Sequence, residues 1–345
     1  MTDTLTDRLW ESPAFAARLA RLALTPASWG YGAVVALRNA AYDAGWLRSH
    51  PLALPALSVG NLTVGGTGKT PVSAFIAARL AERGARPAIV MRGYGGDESL
   101  VHAKLNPGIP VVITPDRVLG AARARAEGCT VAVLDDAFQH RRALRDADIV
   151  LLAADFASGM RIPPVRLLPA GPWREPLGAL RRASLIVVTR KHASRERAEE
   201  WLARARRHAP EQAGAVIHLA ADRLVSWVSG ESLGAASMRG RSVFAIAAIG
   251  DPRAFSGQLE QMGAGVTTVT MRDHHPYSAA DGVDLARRAA TADFVICTLK
   301  DVVKLGPLWP REAPPLWYLS QRVIVESGVE ALDRILTAVA TPQKR

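Results

Sequence analysis

The chain has 345 residues, enough for about two domains at roughly 150 residues each and for sizeable cores. Its composition, 49% hydrophobic and 22% charged, excludes a disordered or collagen-like chain. The net charge of +11, from 43 basic and 32 acidic residues, favours an acidic partner: nucleic acid, an anionic membrane face or a phosphorylated substrate. Two cysteines, Cys129 and Cys297, both in apolar runs, make neither a disulfide framework nor a metal knuckle and fit a reducing compartment.

No signal peptide is expected, because Asp3, Asp7 and Glu11 break the positive region such a peptide needs. Residues 14–40 carry Arg18, Arg21 and Arg38, no acid, and Pro26, so they are too interrupted for a spanning helix. Two readings stay open from these residues: an amphipathic helix lying on an anionic leaflet, or a core-packing helix pair with exposed arginines. Short apolar runs then alternate with helical stretches. Ala56–Val59, Ala88–Met91, Val111–Ile113, Val131–Leu134, Ile149–Ala153 and Leu185–Thr189 read as buried strands, with helices over Val72–Arg83, Val118–Glu127 and Arg195–His208. Such alternation predicts a parallel sheet covered on both faces. Two candidate strands follow, Val216–Ala220 and Leu224–Val228. A second alternation comes next: Val243–Ile249, helix Ala254–Met262, Val266–Met271, helix Ala279–Ala290 and Phe294–Thr298, with a last helix over Val329–Ala340. The expected fold is α/β: a P-loop NTPase-like parallel-sheet domain, a second, smaller α/β domain and an N-terminal amphipathic helix. The expected boundaries are 1–48 for the interfacial segment, 49–215 for the nucleotide-binding domain, 216–240 for linker strands, and 241–345 for a second domain closing the cleft.

The strongest local signal runs from Ser58 to Thr70, where a strand enters a glycine-rich turn that opens a helix. Backbone N–H groups of Thr63, Val64, Gly65, Gly66, Thr67 and Gly68 would cradle phosphate at the helix N-terminus. Lys69 would reach the β and γ phosphates, and the Thr70 hydroxyl would ligate Mg²⁺. The glycine usual five residues before Gly68 is Thr63 here. Asp135 and Asp136 end an apolar strand, which is where a P-loop enzyme handles Mg²⁺.

Together these residues resemble the tetraacyldisaccharide 4′-kinases of lipid A synthesis. The likeness is carried by SVGNLTVGGTGKTP at 58–71, RGYGGDE at 92–98, LDDAFQHR at 134–141, LPAGPWREP at 168–176, FAIAAIGDPRAF at 244–255, DHHPY at 273–277 and TLKDVVK at 298–304. The chain departs from the family where a longer linker before the Gly-Asp-Glu block is missing, which reads as a deleted surface loop, and at Ala248 and Leu299. The resemblance implies a kinase moving the γ-phosphoryl of ATP to the 4′-hydroxyl of a tetraacyldisaccharide 1-phosphate, with ATP and Mg²⁺. It implies Asp97 as the base and His274 as its partner, whereas the residues alone leave the His274-His275 pair open as a helix cap. It assigns Glu175 to Mg²⁺ and Arg174 to phosphate, where the residues alone allow a solvated ion pair. Gln139 joins the nucleotide site in preference to His140. The family's docking helix favours the interfacial reading of 14–40, at the cytoplasmic face of the inner membrane. Lys300, Asp301 and Lys304 look like a helix start and receive no chemistry.

One rival is a membrane-associated P-loop ATPase of the positioning or metallochaperone type. Its signature lysine would precede the glycine pair, where this chain has Val64, and it lacks the Asp-His and LPAGPWRE blocks. A nucleic-acid binder would need zinc spacing or an aromatic-rich motif, and none is read here. No obligate protein partner is expected.

Overall fold

The structure is a computed structural model that describes residues 9–10, 12, 14–93, 96–155, 165–250 and 252–341. The acids Asp3, Asp7 and Glu11 lie outside the described residues, as do Tyr94 and Gly95 of the RGYGGDE block and Asp251 of the 244–255 block. In chain order the elements begin with helix α1 (Phe15–Asp43), β1 (His50–Pro51), β2 (Ala56–Asn61), α2 (Lys69–Glu82), β3 (Pro87–Met91) and α3 (Asp97–Leu105). There follow β4 (Val111–Ile113), α4 (Arg117–Ala126), β5 (Val131–Asp135), β6 (Ala143–Leu144), β7 (Ala147–Ala153), β8 (Leu185–Arg190), α5 (Arg195–Arg206) and β9 (Ala213–Ser226). The rest are β10 (Ser232–Gly234), β11 (Ser242–Ala247), α6 (Pro252–Gln261), β12 (Gly265–Thr270), α7 (Ala279–Arg288), β13 (Phe294–Thr298), α8 (Leu299–Leu305), β14 (Leu316–Ser327) and α9 (Val329–Ala340).

Two compact units divide the chain. The described residues of the larger lie within 3–93, 102–218 and 323–345, and those of the smaller within 94–101 and 219–322. In the larger unit the strands run in the order β9-β8-β7-β2-β5-β3-β4, all parallel. Strands β2, β3 and β5 are buried throughout, which is why each reads as an unbroken apolar run rather than an alternation. Each Val, Leu or Ile fully buried there contributes about 1.5–3 kcal/mol. Because β2 and β5 are neighbours with Val59 beside Asp135, the phosphate loop and the double aspartate leave the sheet at the same edge. In the smaller unit β12, β11, β13 and β14 are parallel in that order, around Val243, Ala245, Ile296 and Trp317.

Three features differ from the sequence expectation. The two candidate strands at 216–228 are one strand, β9, because the polar Asp222-Arg223 between them is no turn signal and β10 pairs across Arg223–Val225. Residues 216–226 and 232–234 are therefore sheet rather than linker, and Ala235–Met238 form a short 3₁₀ helix. The second domain does not run to the C-terminus: residues from Val323 belong to the larger unit, where Asp333 of α9 pairs with Arg79, 3.3 Å away, and with Arg83. Strand β14 and helix α3 were not foreseen. α3 opens with Asp97 and Glu98 in its first turn, where acids suit the positive end of the helix dipole.

Of the two open readings for residues 14–40, the helix pair is replaced by one 29-residue helix with Pro26 inside it. One face of α1 docks on the larger unit through Ser28, Tyr31, Arg38 and Asn39. The face carrying Phe15, Leu19, Leu22, Trp29 and Leu37 is at least half exposed at every one of these positions, and the i, i+4, i+7 spacing keeps these residues on one side. No helix among the described residues is long and apolar enough to cross a membrane.

Candidate active site

The phosphate loop leaves β2 at Asn61 and enters α2 at Lys69. Gly65 and Gly68 have φ of 111° and 79°, values glycine adopts without the Cβ clash other residues meet. Thr63 needs no such freedom, because it forms an antiparallel bridge with Trp173. That explains why a threonine stands where the usual loop has glycine. The loop is braced from below: Asn61 Nδ2 donates to Thr67 Oγ1 at 2.9 Å, and Thr189 Oγ1 at the end of β8 donates to the Thr67 carbonyl at 2.9 Å. The first turn of α2 holds no acid, so its positive end is left for an anion.

The LPAGPWRE segment lies alongside the loop. Val64 N–H donates to the Pro172 carbonyl at 2.8 Å and Arg174 N–H to the Leu62 carbonyl at 2.7 Å. This backbone pairing delivers Arg174 to Asp136, whose two oxygens accept from Arg174 Nη1 at 3.2 Å each. Lys69 Nζ is 3.7 Å from Asp136 Oδ1. Asp136 itself sits at φ 48°, a left-handed conformation that costs a non-glycine residue free energy and clusters at functional sites. Lys69, Asp136 and Arg174 thus form one charged group at the mouth of the loop.

Asp135 is placed differently from its neighbour. It is 3% exposed, with Oδ1 accepting from Ser73 Oγ and Oδ2 facing His102 Nε2, both at 2.9 Å. Burial pushes its carboxyl up, but His102, Ser73 and the Lys69 charge more than reverse this and hold it below the usual range. Glu175 is 2% exposed and takes Asn39 Nδ2 at 2.8 Å and Arg182 Nη2 at 2.6 Å on the same oxygen, Oε2. Its Oε1, Asn61 Oδ1 and Gln139 Oε1 are buried acceptors with no hydrogen-bond partner. Buried acceptors without donors are costly, and a hydrated cation would satisfy them, so the residues present fit Mg²⁺. Among the described residues no three His, Cys, Asp or Glu side chains converge on one metal position. The expected set of Asp135, Asp136 and Glu175 is therefore not gathered as one trio; in a P-loop site phosphate oxygens and a hydroxyl supply much of the coordination.

A second centre lies wholly in the smaller unit. Asp97, at the start of α3 and 1% exposed, faces His274 Nδ1 at 3.1 and 3.0 Å from its two oxygens. His274 has φ 56°, again a left-handed backbone at a candidate functional residue. Burial raises the Asp97 carboxyl, but the hydrogen bond and charge of His274, with the charges of Lys300 and Lys304, bring it below its ordinary value. His274 is raised, chiefly by the Asp97 hydrogen bond, against burial. His275, the alternative to His274, turns to Asp281 Oδ2 at 3.4 Å beside the cap of α7. Neither histidine is the cap: Ser278 caps α7 in a capping box with Asp281, and His275 only faces that carboxylate.

Sequence reasoning missed several contributors. Tyr31 Oη donates to the Arg174 carbonyl at 3.1 Å and Arg38 to the Gln139 carbonyl at 2.8 Å, so α1 reaches the phosphate site directly. His102 has no motif of its own to betray it. Lys304, seen only as part of a helix start, has its Nζ 3.5 Å from Asp97 Oδ2.

Comparisons to known proteins point to one family. The profile of the family described as tetraacyldisaccharide-1-P 4′-kinase matches residues 20–102 and 95–340. A tetraacyldisaccharide 4′-kinase of Geobacter metallireducens is 38% identical over 327 residues, covering 85% of this chain and 91% of that one. One of Halorhodospira halophila is 36% identical over 353 residues, covering 94% and 95%. Among solved structures, LpxK from Aquifex aeolicus in complex with ATP is 28% identical with a TM-score of 0.72, covering 93% of this chain and 100% of that one. With relatives of this identity along almost its whole length and the motif residues gathered into two charged centres, the chain belongs to the tetraacyldisaccharide 4′-kinase family.

Proposed function

We infer that the protein is an ATP-dependent kinase that transfers the γ-phosphoryl of ATP to the 4′-hydroxyl of a tetraacyldisaccharide 1-phosphate. The observation that carries this reading is the Asp97–His274 pair: a plain P-loop ATPase has no need of a buried carboxylate held by an imidazole. The relatives support the kinase, and none of those described is named for the positioning or metallochaperone activity. Incubation with ATP, Mg²⁺ and the lipid acceptor tests it. A 4′-phosphorylated product is expected, and ATP hydrolysis indifferent to the lipid would overturn the reading.

The proposed roles follow from the geometry. The loop N–H groups between Thr63 and Gly68 cradle the polyphosphate, except those of Val64 and Thr67, which are spent on the Pro172 and Gly65 carbonyls, while Lys69 and Arg174 balance the charge that develops on the transferring phosphoryl. Asp97 accepts the proton of the acceptor hydroxyl as its oxygen bonds to the γ-phosphorus and the bond to the ADP oxygen breaks. His274 shares that proton. Thr70 and Asp136, with Glu175 and Gln139 behind them, would hold Mg²⁺, which when bound neutralises phosphate charge. Asp135, with both oxygens engaged, braces α2 rather than binding the metal directly.

We also propose that the outward face of α1 docks on the anionic inner leaflet, with the cytoplasmic face as the working location. Phe15, Leu22 and Trp29 would enter the headgroup boundary, and Arg18, also exposed, would face anionic lipid. Binding to anionic vesicles should weaken with salt and with Trp29→Glu. A Trp29→Glu variant that sediments as fully as the parent would remove this surface.

A further inference from the structure

Lys304 stands at the junction of everything that holds Asp97. Its ammonium is 3.5 Å from Asp97 Oδ2, donates to the His275 carbonyl at 3.1 Å, and lies 5.6 Å from the centroid of the Tyr277 ring. Its side chain is only 14% exposed, so these contacts are its main solvation. Tyr277 is itself anchored, donating to Asp301 Oδ1 at 2.9 Å, and buried Asp301 also accepts from Thr298 Oγ1 at 2.6 Å and from Ala248 N–H at 3.1 Å. Thus α8 offers one lysine to both the carboxylate of α3 and the loop bearing His274.

We propose that Lys304 is a positioning residue for Asp97. It braces the 273–277 loop through the His275 carbonyl and occupies Oδ2 as a second cation, leaving Oδ1 as the oxygen that receives the acceptor proton. The proposal rests on Asp97 being the base. Lys300 also adds its charge to the pair, but its ammonium is spent on Glu98 at 3.6 Å, whereas that of Lys304 sits on Asp97 Oδ2. The charged groups around the pair are Lys304 and Lys300 from α8, Glu98 from α3, and Asp273, whose Oδ1 is 3.9 Å from His274 Nε2.

Removing the Lys304 charge leaves the carboxylate more negative toward His274, so the imidazole holds its proton to higher pH. The dyad accepts a proton best once His274 has lost its own, so the acid limb of kcat/KM follows the imidazole upward. Lys304→Met should lower kcat by about 10-fold or more, leave the KM for ATP unchanged, and move that limb up by about half a pH unit or more. The ¹⁵N-detected titration of His274, assigned with a His274→Gln spectrum, should move the same way. Lys304→Arg should restore most of the rate and the original limb. Lys304→Gln serves the same measurements if the Met variant does not fold. An unmoved His274 titration and acid limb in Lys304→Met or Lys304→Gln would overturn the proposal, and so would equal losses in the Arg and Met variants. Asp97→Asn run in parallel separates the two readings. If it keeps wild-type activity, the base assignment itself falls, whereas the His274 titration still reports on Lys304.

Discussion

The phosphate site and the Asp97–His274 site use the same kinds of residue but are assembled in opposite ways. Loop, lysine and threonine of the first follow one another within residues 58–70, and the strand-to-helix turn gives them their geometry with Trp173 and Thr189 as braces. The second joins residues 177 apart, with a third contributor from α8, and its geometry exists only when the smaller unit is folded. A local site of this kind tolerates change elsewhere in the chain. A composed one depends on every element that meets in it.

The largest effect should come from the local site. Lys69→Ala is expected to lower kcat/KM by about 10³-fold or more with an unchanged unfolding midpoint, since the lysine neutralises phosphate rather than packing a core. Near wild-type turnover would remove the phosphate-loop assignment.

Next comes the composed site. Asp97→Ala and His274→Ala should each cost about 10²–10³-fold in kcat/KM, with ATP affinity unchanged. If the two act as one unit, the double variant should be scarcely worse than either single variant. Multiplicative losses measured with the lipid acceptor at fixed ATP would keep both residues in the site but dissolve the pair.

A smaller effect tests whether the phosphate site is as local as its motif. Asn39 reaches Glu175 from 136 residues away; if Glu175 serves Mg²⁺ as proposed, Asn39→Ala should raise the Mg²⁺ concentration for half-maximal velocity by roughly 10-fold, the usual size for loss of a hydrogen bond supporting a metal ligand. An unchanged Mg²⁺ dependence would make α1 a docking element alone.

The same contrast governs what could be read from the sequence. Fully buried strands announce themselves as apolar runs, so β2, β5, β7 and β8 were found close to their ends. The loop was legible because its glycines and Lys69 are contiguous. Helix α3 was not, because it has nine residues and buries Asp97, Val101 and His102, one apolar side chain in an otherwise polar stretch too short for a helical period to show. The membership of α9 in the larger unit was invisible because it rests on Asp333 meeting Arg79 and Arg83 some 250 residues earlier. Asp97 and His274 were reached through family likeness, since no spacing rule links them. Lys304 was read as part of a helix start and lies in the last turn of α8: a helix position fixes a residue's direction without saying what lies opposite.

The smallest expected effect concerns stability, and it asks whether the composed site holds its own unit together. His274 is raised above its ordinary 6.5 by Asp97, so the folded state binds that proton more tightly than the unfolded chain. The resulting stabilisation is fully present below pH 6.5 and fades as pH rises through the folded-state value. The Asp97 carboxyl is lowered from 3.8, so its own contribution is lost only on acidification below that point and stays constant at neutral and alkaline pH. A comparison at pH 6 and pH 9 therefore isolates the imidazole. The unfolding midpoint of the wild type should exceed that of His274→Gln by about 1–2 °C at pH 6, with the gap narrowing at pH 9. His274 is about one-third exposed, so solvent screening keeps the figure small. A gap that widens with pH would mean that the imidazole is held neutral in the folded protein, against the upward pull of the Asp97 hydrogen bond.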